Sequence, residues 1–279
     1  MYQELKSVQA AELYILKEIK RICEEEGIQY FLTGGTMLGA VRHQGFIPWD
    51  DDIDIAMVQE EYKKFIAIAP KKLGSEFFLD NEFTDSDYGL VFSKVRLLNT
   101  EFVELKGNRH AVHNELFVDV FPYINLADDS KQRKKNGFKL VLLTQLLKIK
   151  SGYKVWLGEG PKKALKFLPV RFICLFASKA NIRKRINKIA YAYERSAFTC
   201  AHNGSKNGYI RWVIPRGVFD EYTFLNFEGE PFPVPKDFDQ CLRTFYGSTY
   251  MELPPENKRI THRPVHINLG KYTEEEKVT

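Results

Sequence analysis

Cysteine is scarce in this sequence. The 279 residues hold four, Cys23, Cys174, Cys200 and Cys241, far apart and with no CxxC pair. That usage argues against a sequence-local zinc site and reads as a reduced, cytosolic protein. A leader is not apparent either: MYQELKSVQAAELYILKEIK is charged and amphipathic and lacks the apolar run of a signal peptide, so export is not expected. The most apolar later stretch, residues 167–180, contains Pro169 and Arg171 and is too short to span a bilayer. There is no internal repeat and no low-complexity tract. The glycines do not fall in GxGxxG form, which excludes a Rossmann dinucleotide site. No nucleic-acid-binding module is recognisable.

What is present suits a globular protein with a sizeable core: 44% hydrophobic and 28% charged residues. The net charge of +5 hides an asymmetry. Residues 131–190 hold 17 Lys and Arg against one acid, Glu159, a local charge of +16 that leaves −11 for the remainder. Such a split suits a basic segment facing an anionic partner, lipid or polyanionic polymer, as well as a solvated basic face. The chain therefore reads as three parts: a first core region (1–126), a basic helical insertion (127–206) and a return to the core (207–279).

The most informative stretch is residues 32–58, LTGGTMLGAVRHQGFIPWDDDIDIAMV. Residues 28–33 are rich in β formers, Gly34 and Gly35 make a turn, and residues 36–41 predict a short helix. Strand, glycine turn and helix is an arrangement that aims free backbone N–H groups at a phosphate. Four aspartates follow within five positions, Asp50, Asp51, Asp52 and Asp54. Half-burying such a cluster costs on the order of several kcal/mol per ion unless a cation compensates. If a strand begins early, Asp50, Asp52 and Asp54 share one face and Ile53 and Ile55 the other. The cluster is not an EF-hand: counted from Asp50, positions six and twelve are Ile55 and Glu61, and from Asp52 they are Met57 and Lys63.

The other predicted elements are helices over 4–26, 60–69 (stopped by Pro70), 130–150, 161–180, 182–200 and 236–246. Strands are expected over 52–58, 77–80, 89–104 (two, meeting at Asn99-Thr100), 115–124 and within 207–235, with a hairpin turn at Glu228-Gly229. Lys94 and Arg96 share a strand face. Asp119 stands alone among Val118, Val120, Phe117 and Phe121, which is costly unless hydrogen bonds or a cation satisfy it. An Asp-x-Asp strand with a third Asp on a neighbouring strand suits Mg²⁺, which takes oxygen ligands and substrate phosphates. Basic groups such as Arg42, Lys94, Arg96 and Arg259 are available to neutralise a transferring phosphate.

These residues carry a resemblance. GGTMLGAVRHQGFIPWDDDIDIAM, together with SKVRLLNT, ELFVDVFPY and YGSTYMELPPENKR, is similar to the signature of the LicD family, bacterial phosphorylcholine transferases related to the fukutin proteins. The likeness covers residues 1–126 and about 207–263. It implies an α+β, nucleotidyltransferase-like fold: a mixed β-sheet core flanked by helices, with the basic insertion added. It implies transfer of phosphocholine, or a related phospho-alcohol, from CDP-choline or another CDP-alcohol. The acceptor would be a sugar hydroxyl of a lipid-linked glycopolymer precursor, with CMP leaving. Asp52 and Asp54 would hold Mg²⁺ (or Mn²⁺), with Asp50 beside them and Asp119 closing the site. Gly34, Gly35 and Thr36 would sit on the diphosphate, with Arg42, His43, Lys94, Arg96, Arg259 and His262 as further binding candidates. For Arg42 the plainer reading is loop anchoring, and for His262 a structural role. Fukutin-type relatives carry a zinc-bound cysteine cluster that nothing here supplies, so the chain is closer to the compact bacterial form. A quaternary ammonium calls for an aromatic cage. Aromatics make up 14% of the chain, and Tyr88, Tyr153, Trp156 and Trp212 lie outside obvious core runs. The sequence does not say which converge. Transfer of an ethanolamine, glycerol, ribitol or sugar phosphate, nucleotidyl transfer, and a non-catalytic nucleotide-binding relative are the alternatives. The expected setting is the cytoplasm, with peripheral contact to anionic membrane through the insertion and no nucleic acid partner.

Overall fold

Residues 4–26 place apolar side chains at helical spacing, and the first element is a helix, α1 (Tyr2–Glu26), with Ile15, Leu16, Ile19 and Ile22 fully buried. Gly27 ends it at φ +62, and the Ile28 N–H bonds the Cys23 carbonyl at 2.9 Å. Glycine takes this left-handed stop without a Cβ clash. The computed structural model describes residues 2–104, 113–153, 177–259 and 264–273.

The fold is α+β. Its main sheet runs in the order β1 (Phe31–Leu32), β2 (Asp54–Val58), β6 (Phe117–Asn125), β4 (Ser93–Leu97), β3 (Phe77–Asp80). β2 and β6 pair in parallel and the others antiparallel. Helix α2 (Gly34–His43) fills the connection from β1 to β2, and α3 (Gln59–Lys72) follows β2. β5 (Glu101–Glu104) leaves the sheet at Asn99, φ +63, and pairs with β11 (Pro264–Asn268). β9 (Tyr222–Phe227) and β10 (Glu230–Pro235) form the expected hairpin, and Glu228 and Gly229 both have positive φ (52 and 84). Such a two-residue turn matches the twist of the strands it joins.

Several expectations are corrected. The strand after the aspartates starts at Asp54, so Asp50, Asp51 and Asp52 lie on the preceding loop rather than alternating along a strand. α3 does not stop at Pro70. That residue sits in its last turn, where proline forfeits one N–H bond and its fixed φ still suits a helix. The helix predicted over 182–200 is instead α5 (Lys179–Ala190), followed by a strand, β7 (Phe198–Ala201). β7 pairs with Tyr123–Asn125 at the end of β6, and Thr199 Oγ1 donates to the Ile124 carbonyl at 2.8 Å. An open edge of a long strand recruited this β-rich tetrapeptide. Residues 206–210 are helical (α6, Lys206–Ile210) because Ser205 caps them, accepting from the Gly208 N–H at 2.9 Å; only Ile214–Pro215 (β8) is extended in that stretch. The helix predicted over 161–180 and Trp156 fall largely or wholly outside the described residues.

Within the basic segment, α4 (Ser130–Lys150) and α5 bury Leu140, Leu147, Ile182 and Ile186 against Ile124, Cys200 and Tyr209. The segment thus has an apolar cluster of its own, seated on the sheet end. Among the described residues no helix is long and apolar enough to cross a membrane.

Residues 271 and 272 are tied down by one carboxylate. Glu76 accepts from Tyr14 at 2.6 Å, from Tyr272 at 2.8 Å and from Lys271. The Lys271 bond first, then those of the two tyrosines, hold the Glu76 carboxyl at about 2, below its ordinary 4.5. A folded value below the unfolded one gives stability that is full above 4.5 and is lost as pH falls through about 2. Glu76→Gln is therefore expected to lose less stability than the native chain between about pH 6 and about pH 3. Urea midpoints at the two pH values measure this, and parallel losses in both proteins would remove Glu76 as the cause.

Candidate active site

The glycine turn comes first. Thr33 is extended and precedes α2, and its hydroxyl meets the Tyr123 hydroxyl at 2.7 Å. The first N–H groups of α2, at Gly34 and Gly35, have no carbonyl a turn behind them, as at any helix start. The Asp54 N–H donates to Thr36 Oγ1 at 2.8 Å, tying the start of α2 to the start of β2. Both glycines lie against aspartate side chains, which would have to shift for a Cβ. A Cβ on Gly34 would lie 2.9 Å from Asp54 Oδ2, and one on Gly35 2.6 Å from Asp50 Oδ2; Gly34 also has φ +55. The turn therefore packs backbone directly against two of the aspartates.

The aspartates divide. Carboxylate oxygens of Asp50, Asp51 and Asp52 lie within 4.8 Å of one another, with Asp51 buried and the other two partly exposed. Asp51 was not chosen from the sequence. Asp54 stands apart from this trio, on β2 beside Gly34. Parallel pairing sets Asp54 opposite Asp119, so both lie on one face of the sheet. Asp119 is bound by Lys94 at 2.8 Å, and the Lys94 ammonium also lies 3.1 Å from the centre of the Phe117 ring. Burial raises the Asp119 carboxyl, opposed by Lys94. Among the described residues the compact carboxylate group is thus Asp50, Asp51 and Asp52, with Asp54 and Asp119 as a neighbouring pair.

Two further groups emerge from tertiary contact. Glu12 of α1 is 1% exposed, and its Oε2 has no hydrogen-bond partner among the described residues. Burial, and then the charges of Asp52, Asp51, Asp50 and Asp54, raise its carboxyl well above the ordinary range. The signal in the sequence was a lone acid on the apolar stripe between Ala11 and Ile15. Lys148 of α4 is the other: burial depresses its ammonium first, then the nearby Lys94, while Asp119 opposes. The basic segment thus reaches the Asp119 side of the site.

A cleft of about 140 Å³ opens beside Gly34, Gly35 and Asp54, walled by Phe121, Trp212, Phe245 and Tyr246. The Trp212 and Phe245 rings meet at 5.5 Å. Phe245 and Tyr246 close the helix α7 (Phe238–Tyr246). Desolvation, and then the carboxylates of Asp54, Asp50 and Asp52, raise the Tyr246 phenol. Of the aromatics singled out in the sequence, Trp212 lines this cleft. Tyr88 is buried beside Leu90, Phe92 and Tyr153 in a separate cluster that touches Phe121.

The remaining candidates scatter. Arg42 Nη1 donates to the carbonyls of Tyr250 (3.0 Å) and Glu252 (3.2 Å), and its Nε to His43 Nε2 at 3.0 Å. It anchors the turn after α7, as its plainer reading had it. Burial and the Arg42 charge lower His43 below its ordinary value. Arg259 lies over the Trp49 ring, next to Asp50, with its guanidinium 4.5 Å from the ring centre. Arg96, two residues from Lys94, bonds Asp80 at 2.6 Å and the Glu115 carbonyl at 2.8 Å, and its charge, after that of Lys94, opposes the effect of burial on Asp119. His262 lies outside the described residues.

The donor set suits a hard divalent cation: crowded carboxylates, a buried carboxyl oxygen without a partner, and a glycine cradle that any Cβ would fill. Gly34→Ala tests the cradle. Its methyl group would displace Asp54, and a misplacement near 1 Å costs about 100-fold in rate. The left-handed backbone adds a stability loss of about 1–2 kcal/mol. The expected outcome is a kcat reduced far more than the melting temperature; a variant with most of its activity would show that the close approach is immaterial.

Residues 27–149 match the family described as LicD/FKTN/FKRP, nucleotidyltransferase domain. The chain is 27% identical over 264 residues to the lipopolysaccharide cholinephosphotransferase LicD of Haemophilus influenzae, a match covering 92% of this chain and 95% of that one. It is 28% identical over 102 residues to the ribitol 5-phosphate transferase FKRP of Mus musculus, covering 37% of this chain and 18% of that protein. An uncharacterized protein of Rickettsia typhi is 44% identical over 68 residues, 23% of this chain and 22% of it.

Proposed function

We propose that this chain, which is similar to the LicD family over residues 27–149, is a phosphotransferase that moves phosphocholine from CDP-choline to a sugar hydroxyl of a teichoic-acid or lipopolysaccharide precursor. CMP is the leaving group. The observation that carries the reading is the convergence of Gly34, Gly35 and Asp54 with Phe121, Trp212, Phe245 and Tyr246 around one cleft. A diphosphate and an organic cation need neighbouring subsites of these two kinds: backbone N–H groups for the anion, aromatic faces for the cation.

In this reading Gly34, Gly35 and Thr36 hold the donor diphosphate. The aromatic wall takes the choline or the cytosine ring. Lys94 and Arg259 offset charge on the phosphates. Asp119 or Asp52 accepts the proton of the attacking sugar hydroxyl as its oxygen bonds to the choline-bearing phosphorus and the bond to the CMP oxygen breaks. Asp50, Asp52 and Asp54 would hold Mg²⁺, or Mn²⁺, with Asp119 beside them and Asp51 added by the geometry. The bound ion would neutralise the diphosphate and acidify the hydroxyl.

A second reading keeps the chemistry and changes the cargo. The similarity to a ribitol 5-phosphate transferase favours it. One product assay separates the possibilities: purified protein, Mg²⁺ and a teichoic-acid precursor with CDP-choline, CDP-ethanolamine, CDP-glycerol or CDP-ribitol. CMP release with only CDP-choline supports the first reading, and with only CDP-ribitol the second. A nucleotide-labelled acceptor means nucleotidyl transfer instead. Tight nucleotide binding without any turnover means a non-catalytic relative.

We place the protein at the cytoplasmic membrane face, because its lipid-linked acceptor would be there and residues 131–190 carry +16. Binding to vesicles rich in phosphatidylglycerol is expected to weaken as salt shortens electrostatic reach. Sedimentation at low and high salt measures it, and absence of binding at both would leave a solvated basic face.

A further inference from the structure

A second cavity, of about 270 Å³, lies where the apolar clusters of the sheet, the basic helices and the Tyr88 region meet. It is separate from the aspartate site. Tyr62, on its wall, meets Ser93 at 2.6 Å, whereas the next residue, Lys94, pairs with Asp119. Successive residues on a strand face opposite ways, so Tyr62 and Asp119 meet opposite faces of β4, and the two cavities share no lining residue.

The cavity is built for negative charge. Arg183 of α5 lines it with a side chain only 12% exposed. Its Nη1 lies 3.7 Å from Glu82. Its Nε and Nη2 are buried and have no hydrogen-bond partner among the described residues. Those two donors form the edge of a guanidinium that grips two oxygens of one carboxylate or phosphate. Glu82 instead accepts from Asn187 Nδ2 at 3.2 Å. Lys63 adds a second cation at the rim, over the Tyr191 ring. Two cations thus face one carboxylate. The rest of the wall is largely apolar, including Ile66, Leu90, Phe92 and Ile186, and Phe83 stands 73% exposed at the edge.

We propose that this cavity binds an acidic amphiphile: a ligand whose phosphate or carboxylate sits on the Nε and Nη2 edge of Arg183 and whose apolar body lies along Ile66, Leu90 and Phe92. The site is independent of the donor cleft and does not rest on the phosphocholine reading.

Titration calorimetry of the full chain with octyl phosphate, phenyl phosphate, inorganic phosphate and octyltrimethylammonium tests it. One octyl or phenyl phosphate should bind per chain, at least about tenfold tighter than inorganic phosphate or the ammonium. The tighter of the two assigns an alkyl or an aromatic body. Arg183→Gln should weaken binding by about tenfold or more, the worth of a hydrogen-bonded charge. Lys63→Met, at an exposed position, keeps the test readable should R183Q fail to fold, and should weaken binding several-fold. Asp54→Asn should leave binding unchanged even where transfer is abolished, which separates the two sites. Equal binding of the ammonium, unchanged binding by both cation variants, or no binding of either organic phosphate overturns the proposal.

Discussion

Asp54→Asn is expected to abolish most transfer while leaving the protein folded. Asp54 lies against Gly34 and opposite Asp119, in the wall of the cleft. Asparagine keeps the shape and removes a charge. If Asp54 holds the ion, its loss removes about 3–4 kcal/mol of transition-state stabilisation, on the order of 10²–10³-fold in rate. Stability should not fall, because one of several crowded like charges has been neutralised. Asp52→Ala should behave alike. Two measurements decide: initial rates of CMP release across a Mg²⁺ series, and melting temperature with Mg²⁺ and with EDTA. Magnesium should raise the melting temperature of the native chain more than that of either variant. Full CMP release by the variants at saturating Mg²⁺ would sink the ligand assignment, whatever the melting data show.

The largest stability effect is expected at Arg96. Its guanidinium and Asp80 are both nearly buried, 8% and 2% exposed, and meet at 2.6 Å. Removing one partner of a buried pair strands the other charge and costs about 3–5 kcal/mol. Arg96→Met should therefore lower the melting temperature by on the order of 10 °C. Replacing both partners with apolar residues, Asp80→Leu with Arg96→Met, should recover most of the loss, since the pair itself contributes little beyond an apolar replacement. Rate per folded molecule should change far less than in D54N, because the Arg96 guanidinium is engaged by Asp80 and the Glu115 carbonyl rather than by a site carboxylate. A folded R96M protein with a rate reduced as far as D54N would instead put Arg96 on the donor phosphates, as its place beside Lys94 in the sequence suggested.

The contrast between Lys94 and Arg96 shows where reading the chain stops. Alternation along β4 correctly puts both on one face. It does not say what lies opposite. Antiparallel pairing sets Lys94 across from Asp119 and Arg96 across from Phe117, so the lysine meets the site carboxylate while the arginine reaches Asp80 on the outer strand. Likewise the connector 42–49 has no legible purpose by itself. Its partners are the Tyr250 and Glu252 carbonyls held by Arg42 and the Glu228 carboxylate, which accepts the Phe46 N–H at 2.9 Å.

Local chemistry alone determined much of this protein. The stripe of α1, the stop at Gly27, the glycine turn, the hairpin at Glu228-Gly229 and the crowded aspartates are each decided within a few residues. Backbone freedom, side-chain period and charge repulsion act over that range. The tertiary structure decided the rest, because it turned on which distant segment supplied the neighbour. Parallel pairing brought Asp54 beside Asp119. The open end of β6 turned residues 198–201 into a strand. Packing of α1 and α4 brought Glu12 and Lys148 to the charges of the site. It also left the trio of Asp50, Asp51 and Asp52 on a loop, where their oxygens converge, rather than along a strand, where alternation would have turned Asp51 away.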